Sequence, residues 1–251
     1  MKKNKILYYW NSRAKNKLLK CTNDKNLENY EIKYFLSIIK KKTYVLDIGC
    51  GDGKLLRELT KKNKCKCYGV DFSNNLINKA KNKLTKIKYF CADMNKITEE
   101  FKVAKKFDYI ITKRSIQNLK TWNEQKSFIN KISFYCKKNT KIFFMESSFA
   151  GLNKINQLRK ELGLKSIIKP WHNLYLEDTK IENTKFLNIK LLKIKELFST
   201  YYFTSRVLNA SISKKTSYND PLNLIGWKLP QDLIKGFSQL RLYEFKVKKF
   251  F

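Results

Sequence analysis

A glycine-rich turn and an acidic residue about 20 positions later form the part of this chain best suited to chemistry. Gly49, Gly51 and Gly53 follow the apolar run Val45-Leu46-Asp47-Ile48, and Asp71 ends a second apolar run. Glycines let a backbone approach a ligand closely, and a carboxylate at a strand end can accept hydrogen bonds from a ribose diol. The pattern predicts a nucleotide-binding unit of strand, turn, helix and strand.

The spacing of the glycines excludes two common nucleotide sites. A dinucleotide fingerprint has the form G-x-G-x-x-G, but Lys54 occupies the position of its third glycine. No G-K-[ST] sequence closes the turn, so a phosphate loop of the Walker type is absent as well.

Four segments, in order along the chain, resemble the motifs of class I S-adenosylmethionine-dependent methyltransferases. They are Asp47-Ile48-Gly49-Cys50-Gly51-Asp52-Gly53, Gly69-Val70-Asp71-Phe72-Ser73, Cys91-Ala92-Asp93-Met94 and Phe107-Asp108-Tyr109-Ile110-Ile111-Thr112. The resemblance covers roughly residues 43 to 150. It implies S-adenosylmethionine as cofactor and a Rossmann-like α/β fold. In this fold a doubly wound, mostly parallel seven-stranded sheet carries helices on both faces, and its last strand is antiparallel.

The resemblance also implies which residues contact the cofactor. Asp47, Gly49 and Gly51, with Cys50 between the glycines, would shape the pocket for its amino-acid end. Asp71 would take the ribose hydroxyls, with Phe72 beside the adenine. Asp93 would accept from the adenine amino group, with Met94 against the ring. Two alternatives stay open: Asp93 as a helix cap and Met94 as a core residue.

Three further residues belong to the expected cofactor site. Thr112 ends the fourth predicted strand, which leads to the methyl-transfer site in this family. Near the N-terminus, Tyr8-Tyr9-Trp10-Asn11-Ser12-Arg13 combines aromatic residues with an arginine. In many relatives such a segment closes over the cofactor, which makes Trp10 and Arg13 candidate contacts. The alternative is an aromatic helix packed on the core.

Five residues are candidates for the acceptor side. Arg114 follows the fourth predicted strand and could hold a phosphate or carboxylate of the acceptor. His172, the only histidine, lies beside Asn173 and Tyr175, which are expected to contact the acceptor. Its unperturbed pKa near neutrality makes it the first candidate for a general base, although a structural role is the alternative. Glu146 ends the fifth predicted strand and is the second catalytic candidate.

The formal net charge of +33 permits nucleic-acid binding but does not by itself indicate it. Only six of the 54 basic residues are arginines, and the lysines are spread along the whole chain. Dedicated nucleic-acid surfaces usually employ arginine for its bidentate geometry. We expect most of this charge to reflect composition, with no specific nucleic-acid partner. The alternative is an anionic substrate or surface that the positive field helps to capture.

Composition also restricts the metal sites, the state of the cysteines and the membrane spans that this chain can have. Six cysteines without a C-x-x-C pair and a single histidine predict no metal site and reduced, mostly buried thiols. No apolar run reaches the length of roughly 20 residues that a membrane helix needs. We therefore expect a cytoplasmic protein without a membrane span.

We expect one domain over residues 1–251, which the resemblance implies is a methyltransferase domain. It comprises an N-terminal helical cover (1–42), a cofactor-binding core (43–150) and a segment with acceptor-side elements and the last strands (151–251). We predict strands at Tyr44–Ile48, Cys65–Val70, Ile87–Cys91, Phe107–Thr112, Lys141–Met145, Lys193–Phe203 and Leu240–Lys248. The sequence Lys137-Lys138-Asn139-Thr140 predicts a turn before the fifth strand.

The expected function is methyl transfer from S-adenosylmethionine to a small-molecule or carbohydrate-type acceptor. A phosphorylated sugar or a surface-glycan precursor is one such acceptor, and oxygen is the favoured methylated atom. The first alternative is an RNA methyltransferase, which the charge permits. The second alternative is a non-catalytic partner subunit that keeps the methyltransferase fold.

Overall fold

The computed structural model describes residues 2–16, 22–83, 86–213, 217–218 and 220–248. Within them, helices and strands alternate over the central part of the chain, as the sequence pattern predicts. The α-helices are α1 (Lys2–Lys15), α2 (Lys25–Ile38), α3 (Lys54–Asn63), α4 (Asn74–Lys81), α5 (Ile97–Glu100), α6 (Trp122–Lys131), α7 (Phe149–Glu161), α8 (Asp178–Asn183), α9 (Ser199–Phe203), α10 (Asn209–Ile212) and α11 (Pro221–Lys228). A short π-helix, Thr204–Leu208, joins α9 to α10.

The described strands form one sheet with the order β3-β2-β1-β4-β5-β7-β6. The first five are parallel, and β7 runs antiparallel to both β5 and β6. The sheet therefore has the predicted doubly wound, mostly parallel form. Its strands are β1 (Tyr44–Ile48), β2 (Lys66–Asp71), β3 (Lys88–Cys91), β4 (Phe107–Lys113), β5 (Cys136–Ser147), β6 (Ile189–Glu196) and β7 (Leu240–Val247).

Two apolar cores cover the two faces of the sheet. One joins the sheet to α2, α3 and α7 through residues such as Phe35, Leu56 and Ile155. The other joins it to α6 and α8 through Phe128 and Ile181. Strand order reverses between β1 and β4, and such a switch point opens a crevice at the carboxyl ends of the strands.

Two predicted boundaries are wrong. The strand expected over Lys193–Phe203 is β6, which begins at Ile189 and ends at Glu196. Its expected second half contains the helix α9, and the buried apolar residues at 197, 198, 201 and 202 follow a helical rather than an alternating period. The turn expected at residues 137–140 is part of β5, where Thr140 Oγ1 donates to Phe107 O at 2.6 Å.

The connection between β6 and β7, residues 197–239, is mostly helical where it is described, and it packs against α2. The Tyr30 ring of α2 stacks on Phe198 with centroids 5.0 Å apart. None of the helices in the described part of the chain combines the length and the apolar character that a membrane crossing requires.

Candidate active site

A cavity of about 400 Å³ opens at the carboxyl edge of β1, β2 and β4. It extends from the glycine turn to α1, α2, the segment around residue 172 and the β6–β7 connection. Most of the predicted site residues line it: Trp10, Arg13, Gly49, Cys50, Gly51, Asp71, Phe72, Asp93, Met94, Arg114, His172, Asn173 and Tyr175. Asp47, Thr112 and Glu146 are not among its lining residues and lie buried.

The glycine turn has a backbone that only glycine adopts readily. Gly49, Gly51 and Gly53 have φ values of 82°, 56° and 75°. A Cβ at Gly49 would lie 2.2 Å from Ser115 Cβ, so the turn and the loop after β4 can approach closely only with glycine there. Cys50 is buried within the turn, and burial raises the pKa of its thiol well above the usual range.

Asp71 joins the turn to the end of β2. Its Oδ2 accepts from Gly51 N and its Oδ1 accepts from Ser73 N, both at 2.9 Å. Burial raises the pKa of this carboxyl to about 6, against the opposing effect of these hydrogen bonds. Because a carboxylate has about four acceptor positions, two backbone donors leave capacity for a ribose diol.

Asp47 lies beneath the cavity. It is 1% exposed, and its Oδ1 has no hydrogen-bond partner among the described residues. Burial raises the pKa of Asp47 to about 7; Lys113 lowers it, while the charges of Asp71 and Glu146 raise it further. The carboxyl is therefore part of a buried acidic cluster under the glycine turn.

The expected adenine side is formed by Phe72, Asp93 and Met94. All three line the cavity. Asp93 also caps the 3₁₀-helix Met94–Lys96, since its Oδ1 accepts from Asn95 N at 2.9 Å. The capping role considered for Asp93 is thus present together with its position at the cavity.

Helix α1 forms a wall over this edge. Trp10 Nε1 donates to Asn118 Oδ1 at 3.1 Å, and Ser73 Oγ donates to Asn11 Oδ1 at 2.6 Å. Arg13 lies one turn further along the helix and lines the cavity, with Nη2 donating to Asn23 Oδ1 at 3.3 Å. The aromatic N-terminal segment is therefore both packed on the protein and exposed to the cavity.

Glu146 organises the loop after β4. Its Oε1 accepts from Thr112 Oγ1 at 2.8 Å and from the amides of Ser115 and Ile116 at 3.0 and 3.1 Å. Its Oε2 accepts from Gln117 N at 3.4 Å. The side chain is 0% exposed, and burial raises its pKa to about 7. Glu146, the second catalytic candidate, therefore does not reach the cavity surface.

Arg114 lies at the tip of that loop in a left-handed conformation, with φ of 53°. Its Nε is 2.8 Å from Oε1 of the buried Glu31, and its Nη2 donates to Glu31 Oε2 at 3.0 Å. Lys113 Nζ also contacts Glu31, at 3.2 Å. The predicted acceptor-binding arginine thus lines the cavity while paired with a carboxylate from α2.

A segment after α7 presents His172, Asn173 and Tyr175 to the cavity. Leu174 N donates to Gln117 O at 2.6 Å, which attaches this segment to the loop after β4. Tyr175 Oη accepts from Gln239 Nε2 at 2.8 Å. Asn173 Oδ1 and His172 Nδ1 are buried and have no hydrogen-bond partner among the described residues.

His172 stands among aromatic rings. Its ring centroid is 4.4 Å from that of Tyr9, and Trp10 and Trp171 lie edge-on to it. Burial, and secondly the charge of Arg13, lowers its pKa to about 4. The imidazole is therefore neutral near pH 7 and ready to accept a hydrogen bond, although its basicity is weak.

The length of the β6–β7 connection is typical of a binding segment, but sequence reasoning did not single out its individual site residues. Tyr202, Arg206 and Tyr218 line the cavity, together with Asp24 at the start of α2. Arg206 Nη2 donates to Asp24 Oδ2 at 2.6 Å across 182 positions of sequence. The scarcity of arginine was the available signal, since Arg206 is one of only six.

The residues at this edge fit the cofactor that the sequence resemblance implies. The glycine turn leaves backbone open to the cavity, and Asp71 retains acceptor capacity beside it. Asp47 offers an unused buried oxygen behind the turn. No cluster of three or more His, Cys, Asp or Glu side chains suited to a metal ion occurs in the described ranges.

Comparison with known proteins agrees with this fit. A family model described as a methyltransferase domain matches residues 25–204. The ubiquinone biosynthesis O-methyltransferase of Coxiella burnetii is 31% identical over 140 residues, which are 54% of this chain and 55% of that protein. The chain thus spans about half the length of the curated relatives it matches.

Solved structures share the fold at low identity. The N-methyltransferase NodS from Bradyrhizobium japonicum, in complex with S-adenosyl-L-homocysteine, has a TM-score of 0.57 and 12% identity, covering 97% of this chain and 98% of its own. A S-adenosylmethionine-dependent methyltransferase from Clostridium acetobutylicum has a TM-score of 0.54 and 15% identity, covering 99% and 100%. Since the family model spans more than half of the 251 residues, the chain belongs to the class I S-adenosylmethionine-dependent methyltransferases.

Proposed function

We propose that the protein methylates an oxygen atom of a small, anionic, carbohydrate-type acceptor, such as a phosphorylated sugar or a surface-glycan precursor. The whole chain would act as one catalytic domain in the cytoplasm. The observation that carries the proposal is the cavity itself. One cavity of about 400 Å³ is lined both by the cofactor motifs and by Arg114, Asn173 and Tyr175.

The shape of the site supports a small acceptor over a polynucleotide. The cavity is walled by α1, by the start of α2 and by the β6–β7 connection, so an acceptor must enter it to reach the glycine turn. A small molecule can do this as a whole, whereas an RNA would need an extruded base and a surrounding binding surface.

The bound cofactor supplies an electrophilic methyl group, and the chain supplies alignment and hydrogen bonds. In an in-line displacement the acceptor oxygen must be held on the side of the methyl opposite the sulfur. Asn173 and His172 line the cavity, and the buried atoms Asn173 Oδ1 and His172 Nδ1 have no partner among the described residues; a small side-chain movement would let them orient an acceptor hydroxyl. The Coxiella relative is an O-methyltransferase, which supports oxygen as the methylated atom.

His172 is the proposed base, with a limited contribution. General bases are most effective when their pKa lies near the operating pH, so an imidazole with a pKa of about 4 is far from the optimum. It can still receive the proton as the hydroxyl oxygen becomes positively charged during methyl transfer. Glu146, whose oxygens already accept from the loop after β4, would act on the position of that loop.

The test is transfer of a labelled methyl group from S-adenosylmethionine to three sets of acceptors. These are sugar phosphates, the same sugars without phosphate, and total RNA, with Asp71→Ala as a cofactor-site control. We expect label in the sugar phosphates alone and, at a cofactor concentration below the dissociation constant, at least tenfold less label with the variant. Label in RNA would replace this proposal by the RNA methyltransferase alternative. A chain that does not bind S-adenosylmethionine at all would instead be a non-catalytic partner subunit.

A further inference from the structure

The β6–β7 connection contributes a second arginine to the cavity. Arg206 lies in the π-helix Thr204–Leu208, with 15% of its side chain exposed. Short π-helical segments are frequent at functional sites. The guanidinium carbon is 4.9 Å from the centroid of the Tyr218 ring and 5.4 Å from that of Tyr202. Both tyrosines also line the cavity, so the guanidinium is held between aromatic rings.

Asp24 fixes one edge of this guanidinium. Its Oδ2 accepts from Arg206 Nη2 at 2.6 Å, and its Oδ1 accepts from Leu27 N and from Tyr201 Oη at 2.9 and 2.8 Å. Three donors thus hold this carboxylate in place. Arg206 also donates from Nη1 to Ser205 Oγ at 2.9 Å. An arginine has five N–H donors, so these two contacts leave others for a ligand in the cavity.

Arg114 is connected to the same cluster. Its Nη1 donates to Thr22 Oγ1 at 3.4 Å, and that oxygen also accepts from Asp24 N at 3.2 Å. Arg114 from the loop after β4 and Arg206 from the β6–β7 connection therefore both contact residues just before α2, namely Thr22 and Asp24.

Three basic side chains, Lys113, Arg114 and Arg206, lie at this wall of the cavity. They face the carboxylates Glu31 and Asp24, and the charge of Lys113 also acts on the buried Asp47. At a partly buried wall, screening by water and salt is weaker than on an open surface, so an anionic group in the cavity would be attracted to the donors that Arg206 has left.

We propose that Arg206, assisted by Arg114, anchors the anionic group of the acceptor, a carboxylate or phosphate, and thereby selects acceptors that carry such a group. This inference rests on the proposed function, because it presupposes an acceptor in this cavity. It differs from that function in naming the charge partner and in assigning specificity to the β6–β7 connection.

A purely structural ion pair between α2 and the β6–β7 connection is the competing explanation for the Arg206 contacts. The two explanations differ for Asp24→Asn. If the pair is only structural, this variant loses stability and does not gain affinity for anions. If Arg206 binds the acceptor, removing the competing carboxylate strengthens anion binding, and the anion restores stability to the variant.

The experiment measures binding of glucose 1-phosphate, glucuronate and glucose by calorimetry at constant ionic strength, with S-adenosylhomocysteine bound. The phosphate and carboxylate probes distinguish the two kinds of anion, and glucose is the neutral reference. The variants are Asp24→Asn and the double variant Asp24→Asn/Arg206→Met, which removes both partners together and so leaves no unpaired buried charge. The matched control is Asp178→Asn/Arg241→Met, because Arg241 is 12% exposed, lies 3.6 Å from Asp178 and does not line the cavity.

We expect at least one anionic probe to bind the unaltered protein more tightly than glucose. Its affinity should rise about tenfold in Asp24→Asn and fall about tenfold or more in the double variant, the range of one charge-assisted hydrogen bond. The control should leave it unchanged. Equal affinity of the anionic probe for the unaltered protein and the double variant would overturn the inference. If the double variant does not fold, the absence of a gain in Asp24→Asn overturns it.

Binding of S-adenosylhomocysteine separates this inference from the function on which it rests. If the unaltered protein does not bind it, the proposed function fails. If it binds but the protein does not prefer anionic probes over glucose, the anion anchor alone is refuted.

Discussion

Replacement of Glu146 should lower both the stability of the protein and its affinity for the cofactor, because this buried carboxylate fixes the loop after β4. In the structure one side chain accepts from the hydroxyl of Thr112 and from three consecutive amides, those of Ser115, Ile116 and Gln117. Ser115 contacts the glycine turn, since its Oγ donates to Ile48 O at 2.8 Å. The same loop binds Leu174 N and Trp10 Nε1, so three walls of the cavity depend on it.

The magnitude follows from the number of donors left without an acceptor. Glu146→Ala leaves four buried donors unpaired, and breaking such a network costs about 3–5 kcal/mol. At about 2–4 °C per kcal/mol for a chain of this size, the melting temperature should fall by roughly 6–20 °C. Glu146→Gln keeps an oxygen for the three shorter bonds and loses only the bond of 3.4 Å to Gln117 N. Its cost should be about 1–2 kcal/mol.

The assay combines thermal unfolding with the affinity for S-adenosylhomocysteine. We expect Glu146→Ala to lose at least tenfold in affinity and Glu146→Gln to stay within a few fold of the unaltered protein while keeping most of its turnover. Glu124→Gln is the matched control, because Glu124 Oε2 also accepts from two backbone amides, of Lys120 and Thr121, in a capping box at α6. It should change stability slightly and affinity not at all.

The opposite pattern would refute this role for Glu146. A general base cannot be replaced by an amide, so a Glu146→Gln protein with normal stability and normal cofactor affinity but no turnover would make Glu146 a catalytic residue.

Three further predictions concern the cofactor, the histidine and the surface charge. Asp71→Ala should weaken S-adenosylmethionine binding at least tenfold, since a hydrogen bond to a charged group contributes about 1.5–3 kcal/mol; equal affinities by calorimetry would remove the ribose assignment. His172→Ala should reduce turnover by roughly 10², the lower end for a general base, with cofactor affinity nearly unchanged. The pKa of His172 is lowered from 6.5 to about 4, so the histidine does not affect the pH dependence of stability above about pH 6.5 and lowers the free energy of unfolding increasingly between pH 6.5 and pH 4. The His172→Ala variant should lose this acid sensitivity in unfolding experiments. Binding to random RNA should disappear by about 0.2 M salt in gel-shift titrations, as a purely electrostatic contact does; salt-resistant binding to one RNA would contradict it.

The cofactor half of the site was predictable because its signals are local in sequence. The three glycines with positive φ lie within five residues, and Asp71 follows at the end of the next strand. Strand boundaries were accurate where a short apolar run lies between a polar segment and a glycine turn, as at β1. They failed at β6, where the apolar residues after Glu196 have a helical period that a short run does not distinguish from a strand.

The acceptor half was less predictable because it is assembled from distant segments. Nothing near Arg206 in the sequence indicates that Asp24 will pair with it. Glu146 was correctly located at the end of β5, but its surroundings depend on the path of the loop after β4. That path includes a left-handed Arg114, a conformation that is uncommon for a residue with a side chain.

The attachment of the β6–β7 connection has a consequence for how this fold can change its acceptor. The two strands are antiparallel neighbours, and Glu196 lies opposite Arg241, so the connection leaves and re-enters the sheet at adjacent positions. A segment anchored in this way can be exchanged between related enzymes without moving β1, β2 or the glycine turn. Since Tyr30 stacks on Phe198 and Asp24 pairs with Arg206, the exchange would succeed only if the inner face of α2 were transferred with it. If Arg206 anchors the acceptor as proposed, a change of acceptor would therefore involve two segments, α2 and the β6–β7 connection, that lie far apart in the sequence.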